Sequence, residues 1–131
     1  MAQYPYYPFN LDLGAVVTLT AASTGGNSAN LNATGTSGVR VNVNVSAISG
    51  TSATLTVTVQ GYDVASNSYF TLLQSAGITA TGMTSLVIQT GTTAAANSVA
   101  NVPVSPIYRV LYTITGTTPS VTGTIGVEQL I

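Results

Sequence analysis

The chemistry open to this chain is limited by the reactive side chains that it contains. Its 131 residues include no histidine, no cysteine and no lysine. The charged residues are Asp12, Arg40, Asp63, Arg109 and Glu128. General acid–base and nucleophilic catalysis both need a tunable group beside a suitable partner. No two of the three acids are close in sequence, and no serine has an evident base, so we expect no enzymatic activity and no catalytic residue.

A metal site has equally little support. Asp63 and Asn67, in 61-GYDVASNSY-69, offer the best oxygen ligands for a calcium ion. A single carboxylate makes a weak site, however, and turns use Asp and Asn for their own hydrogen bonds. The absence of cysteine also excludes disulfides and thiolate metal sites. We therefore expect a turn at this segment and predict neither a metal nor a cofactor.

Charge and hydropathy restrict the classes of partner. A formal net charge of −1 gives no basic surface for nucleic acid. The mean hydropathy is +0.43, yet no stretch approaches the roughly 18 consecutive apolar residues of a spanning helix, so we expect no membrane partner. The first residues lack the charge and apolar run of a signal peptide, which favours synthesis in the cytosol. Only 4% of residues are charged, against about 25% in ordinary proteins, which suits a subunit of a large assembly.

The elements that position these residues are predicted to be strands. Apolar and polar residues alternate in 39-VRVNVNV-45 and 54-TLTVTVQ-60, the pattern of half-buried antiparallel strands. Glycine, asparagine and serine clusters separate such segments, and 93-TAAANSVAN-101 is expected to be a loop. We predict an all-β, antiparallel β-sandwich of Ig-like or jelly-roll-like type with eight or nine short strands. The further candidate strands are Val16–Ala22, Ser28–Asn32, Tyr69–Leu73, Ile78–Thr81, Leu86–Thr90, Ile107–Thr115 and Val121–Leu130.

Two segments of the chain resemble each other. The run 48-ISGTSATLTVTV-59 aligns with 114-ITGTTPSVTGTI-125, with glycine and threonine at the same positions. Each copy has a glycine-containing turn between two strands, which predicts two hairpins in related places of the sandwich. The alternative is a chance match between segments rich in threonine, glycine and valine.

The strand 107-IYRVLYTIT-115 is apolar on both faces, so we expect it to be central or covered on both sides. Its Arg109 then needs a carboxylate or several carbonyl groups, since an unpaired buried charge costs several kcal/mol. One interpretation is an intrachain ion pair or a position at the rim of the sheet. The other is a contact between Arg109 and a neighbouring subunit.

The first ten residues, MAQYPYYPFN, hold four of the nine aromatic residues of the chain. The two prolines cannot donate backbone hydrogen bonds and favour an extended course. We predict an arm over residues 1–13, followed by one domain over 14–131. The arm would bury its rings in a groove of a neighbouring subunit or shell, or fold back over its own domain as a plug. The predicted interface residues are Tyr4, Pro5, Tyr6, Tyr7, Pro8 and Phe9.

Two longer segments resemble a widespread class of small bacteriophage structural proteins. These are 45-VSAISGTSATLTVTVQGYDVASNSYFTLLQS-75 and 106-PIYRVLYTITGTTPSVTGTIGVEQL-130. The shared features are the segments Ser49–Leu55 and Gln60–Asp63, Tyr69, the Tyr108–Arg109 strand and the GTTPS segment Gly116–Ser120. The resemblance covers roughly the C-terminal two thirds of the chain and not the first 35 residues.

This resemblance implies a virion protein without catalytic residues. The first hypothesis is a capsid decoration (cement) protein that binds the outer shell, with the major capsid protein as partner and a homo-oligomer, a trimer favoured, as its state. The second is a tail or head–tail connector subunit. A third, of another class, is a carbohydrate-binding adhesin module whose tyrosines stack on sugars.

Overall fold

A computed structural model describes residues 11–130, and every regular element in that range is a strand, so the all-β prediction is confirmed. The strands form one sheet of eight members. Their bounds are β1 Leu11–Ala22, β2 Gly26–Asn27, β3 Leu31–Asn32, β4 Gly38–Asp63, β5 Ser68–Gln74, β6 Gly82–Gln89, β7 Val99–Ala100 and β8 Ile107–Leu130. The first strand begins at Leu11, three residues before the predicted domain boundary at residue 14.

Two long strands form the frame of the molecule. Strand β4 has 26 residues and β8 has 24, and they pair antiparallel from Gly38↔Leu130 to Gly61↔Tyr108. Strand β1 adds to the second half of β8, and β6 adds to the first half of β4. Strand β5 adds to the second half of β4, while β2 and β3 add to the first half of β8. Strand β7 pairs with β6 in parallel, so the sheet is mixed rather than purely antiparallel.

Both long strands turn a corner at their midpoints. Gly50 and Gly116 have φ angles of +112° and +119°, and Ser52 and Thr118 follow with +54° and +52°. The ladder between β4 and β8 is irregular at this level, where Thr51 pairs with Thr117. Bulges and left-handed residues bend strands sharply, so the two strands bend together.

The corners correct the hairpin prediction. The segments 48–59 and 114–125 do not fold back on themselves, because each is a continuous stretch of a long strand and the two pair with each other. The internal similarity nevertheless has a structural counterpart. The glycines and the residues two positions later occupy equivalent corners of the two antiparallel strands.

Beyond the corners the sheet doubles over into two layers. Tyr108 near the start of β8 and Gln129 near its end lie 21 residues apart, yet Gln129 Nε2 donates to the Tyr108 hydroxyl over 2.9 Å. The same Nε2 donates to the Asn32 carbonyl over 2.8 Å. Tyr108 is fully buried, and burial raises the pKa of its phenol. These hydrogen bonds satisfy polar groups that would be costly to bury unpaired.

Alternate residues of the two long strands and of β6 fill the space between the layers. Their burial follows the period of two that the sequence shows, and each fully buried valine or leucine contributes about 1.5–3 kcal/mol. The fully or almost fully buried side chains include Val39, Val41, Val43, Val45, Leu55, Val57, Val59, Leu86, Ile88, Val110, Val121, Ile125 and Val127.

Some predicted strands are shorter than expected. Ile78 forms only an isolated bridge to Leu55, so Ile78–Thr81 is not a strand. Of the candidate 28–32 only Leu31–Asn32 is a strand, and at Ser28 the side-chain Oγ accepts the Val110 N–H in place of a backbone carbonyl. The segment 93–101 is largely loop, with Val99–Ala100 as a short strand.

Candidate functional site

Arg109 lies in the first half of β8, in the row Thr71–Gln60–Arg109 across three strands. Its Nε donates to Gln60 Oε1 over 2.8 Å. Its guanidinium carbon stands 3.6 Å from the centroid of the Tyr69 ring, in cation–π geometry. The partners of Arg109 within residues 11–130 are therefore an amide and an aromatic ring.

The intrachain ion pair considered for Arg109 is formed by the other arginine. Arg40 on β4 forms an ion pair with Glu128, its register partner on β8. No other ion pair is formed among residues 11–130. The sequence pattern indicated which face of its strand each residue occupies, but not that Arg40 and Glu128 would be opposite each other on neighbouring strands. Whether Arg109 contacts a neighbouring subunit stays a prediction.

Two tyrosines complete a cluster with Arg109. Tyr62 and Tyr69 are paired across β4 and β5, with ring centroids 4.9 Å apart and planes inclined by 57°. The Tyr69 hydroxyl donates to Asn30 Oδ1 over 2.8 Å, and the Tyr62 hydroxyl donates to Asn67 Oδ1. Both side chains are half-buried, and the hydroxyl group of each is fixed by its hydrogen bond to an asparagine. We call Gln60, Tyr62, Tyr69 and Arg109 the Tyr–Arg cluster.

The Tyr–Arg cluster contains residue types that are common in protein–protein interfaces. Tyrosine and arginine are enriched among the residues that contribute most to protein–protein binding. Arg109 uses its Nε for Gln60, and its terminal N–H groups are additional donors suited to carboxylates and carbonyls. The cluster is preorganised, so a partner would not have to order these side chains.

Of the three acidic residues, Glu128 binds Arg40 across the strands, and the two aspartates make local hydrogen bonds. Asp12 accepts the Gly14 N–H over 2.8 Å. Asp63 accepts the Ser66 hydroxyl over 2.7 Å, and this hydrogen bond lowers the pKa of the exposed Asp63 carboxyl. Asn67, the second calcium candidate, is the acceptor of the Tyr62 hydroxyl. Within residues 11–130 no three acidic, histidine or cysteine side chains come together as metal ligands.

A second surface feature is an apolar groove of about 500 Å³, which sequence reasoning missed. One wall is Phe70 and Leu72 on β5, and the other is the segment 102–106 that leads into β8. Gly61 separates them, and a Cβ there would stand 2.7 Å from the Phe70 ring. No charged residue lines this groove, which we call the β5 groove. It is assembled from separate segments, so only an unusual run of apolar and proline residues, 102-VPVSP-106, could have indicated it.

The predicted interface residues Tyr4, Pro5, Tyr6, Tyr7, Pro8 and Phe9 lie outside the described residues. No helix in the described part of the chain is long and apolar enough to cross a membrane. In comparisons with known proteins, the chain matches no family model, no curated relative and no solved structure.

Proposed function

We propose that this chain is a structural protein of a bacteriophage virion, namely a capsid decoration protein that binds the outer shell and stabilises it. The observation that carries the proposal is the Tyr–Arg cluster, a rigid surface of the type that anchors protein partners. The scarcity of charge supports it, since such a surface suits a molecule that functions inside an assembly.

A tail or head–tail connector subunit would use the same surface with a different partner. Copy number separates the two locations, because capsid shells present many equivalent sites and tails few. The carbohydrate-binding alternative has a specific feature against it. Arg109 covers one face of the Tyr69 ring and Tyr62 stands inclined beside it, so the pair does not present a flat platform to a sugar.

Quantitative mass spectrometry of purified virions from the phage that encodes the chain tests the proposal. Hundreds of copies per particle are expected for a decoration protein. About six to twelve copies would assign it to the tail or connector instead. Absence from the virion would overturn the structural role.

A binding experiment then tests the surface itself. Arg109→Gln removes the cationic centre of the Tyr–Arg cluster and should weaken co-sedimentation with assembled capsids by about tenfold or more. Arg40→Gln is the matched control, since it removes the same charge from the ion pair with Glu128 and should bind as the wild type does. Equal binding by the wild type and Arg109→Gln would exclude the cluster as the contact surface.

A further inference from the structure

The β5 groove exposes apolar side chains that folded proteins usually cover. Phe70 is 45% exposed and Val102 is 37% exposed, and both line the groove. Pro103 and Pro106 add rigid apolar surface, and Ser105 adds a hydroxyl. A groove of this volume lies within the range of pre-formed sites, and it is lined by groups that bind apolar and aromatic side chains.

The chain itself carries a segment of matching chemistry. Ten residues precede Leu11, and they contain four aromatic residues, two prolines and no charged side chain. Proline-containing segments bind in extended form to grooves lined by aromatic and apolar residues, at low cost in conformational entropy. We propose that the β5 groove binds the segment 1–10 of a second copy of this chain.

The positions of β1 and β5 favour a second copy over the same chain. Strand β1 pairs with β8 and β5 pairs with β4, so the two long strands of the frame lie between β1 and β5. Phe9 and Tyr7 precede Leu11 by two and four residues, so even a fully extended chain carries them only about 7 Å and 14 Å from it. Their short link to Leu11, which lies on the β8 side of the frame, therefore favours a groove that a neighbour presents there over the groove on the β4 side of their own domain.

This arrangement gives every copy one donor segment and one acceptor groove on different edges. Such a contact is heterologous, and it closes into a ring when the rotation between copies permits. The inference concerns contacts between copies and stands independently of the proposed capsid partner. Virion copy number therefore tests the proposed function alone, and self-association tests this inference alone.

Two full-length variants separate donor from acceptor. In the donor variant, Tyr4, Tyr6, Tyr7 and Phe9 are all changed to Ser, and the groove is intact. In the acceptor variant, Phe70→Asp places a charge in the groove, and the donor segment is intact. Val102→Asp is a second acceptor variant in case Phe70→Asp does not fold. Circular dichroism checks that each variant is folded. Val64→Asp is the matched control, since Val64 is 72% exposed in the turn between β4 and β5, outside the groove.

Sedimentation velocity measures the association of each protein and of the mixture. We expect the wild type and Val64→Asp to associate, and each donor or acceptor variant alone to associate at least about tenfold more weakly. Mixing the two variants should restore a heterodimer and nothing larger, because only one donor segment and one groove remain. A mixture that stays monomeric, or a donor variant that associates as the wild type does, would overturn the inference.

Two further outcomes would identify another occupant and also overturn it. A monomeric wild type whose donor variant unfolds at a lower temperature would place the segment on its own domain. A monomeric wild type whose donor variant keeps its melting temperature but loses capsid binding would place it on a shell protein.

Discussion

At the scale of single residues, the buried Tyr108 shows how a polar group joins the two layers. Its hydroxyl accepts a hydrogen bond from Gln129, and Gln129 also donates to the Asn32 carbonyl. Burial is the main cause that raises the pKa of the phenol, and the hydrogen bond from Gln129 opposes it. The folded state therefore favours the neutral phenol more than the unfolded chain does.

This preference predicts a specific alkaline destabilisation. Below about pH 10 the phenol is neutral in both states, and the contribution of Tyr108 to stability is fully present. As the pH rises above that value the unfolded state ionises first, so this stability is lost. Tyr108→Phe should cost about 1 kcal/mol at neutral pH, from the lost hydrogen bond, and should lose less stability than the wild type as the pH rises above about 10.

Urea unfolding at several pH values measures both effects. An equal slope of unfolding free energy against pH in the wild type and Tyr108→Phe would show that Tyr108 does not ionise on unfolding. The comparison uses the difference between the two proteins, so contributions that both share cancel.

Residue-level reasoning from the sequence identified Arg109 as unusual but not its partners. Alternation assigns a residue to a face of its own strand, which is why the apolar surroundings of the strand 107–115 were visible. Gln60 and Tyr69 come close only through the register of β8 on β4 and of β4 on β5. That register depends on long-range pairing, which the local pattern does not contain.

At the scale of elements, Gly50 and Gly116 decide where the long strands bend. A Cβ on Gly116 would stand 2.9 Å from the Ala53 Cα, and one on Gly50 would stand 2.7 Å from the Thr118 carbonyl oxygen. Both glycines also have positive φ angles that other residues rarely adopt. The two strands therefore approach each other at the corners more closely than side chains permit.

We expect Gly116→Ala and Gly50→Ala to destabilise the fold by similar amounts, because they occupy equivalent corners. Gly82→Ala is the matched control, since Gly82 has a φ of +136° but open space around its Cβ position. That control should cost about 1 kcal/mol from backbone strain alone, and the corner variants about 1–3 kcal/mol more from the steric conflict. Chemical denaturation measures the differences, and a corner variant no less stable than Gly82→Ala would contradict the close approach.

The same corners explain why strands were predictable and their connections were not. Period-two alternation and β-branched residues located the strands that contribute most of the core. The short sequences GTS and GTT have the residues of a hairpin turn, and a corner uses the same backbone conformations. Only the pairing of the two segments with each other distinguishes a bent strand from a hairpin.

At the scale of the whole molecule, the amino-acid composition restricted the range of expected functions more than any motif did. The lack of histidine, cysteine and lysine argued against most catalytic chemistry, and the low charge argued for an assembly. The proposed virion role rests on the resemblance and on the Tyr–Arg cluster. The β5 groove could not be predicted, because Phe70, Leu72 and the segment 102–106 meet only in the folded chain.

The low charge also predicts how association responds to salt. Five charged residues leave little for ion pairs between copies, and Arg40 and Glu128 already bind each other. Contacts between apolar and aromatic groups are not screened by salt, whereas exposed ion pairs are weakened beyond a Debye length of about 10 Å at 0.1 M. We therefore expect the wild type to associate within about twofold of the same strength at about 0.05 M and about 0.5 M NaCl, and more strongly in sulfate. Sedimentation equilibrium at these salts measures the constants, and dissociation into monomers at the higher NaCl concentration would show that charge, not apolar surface, holds the copies together.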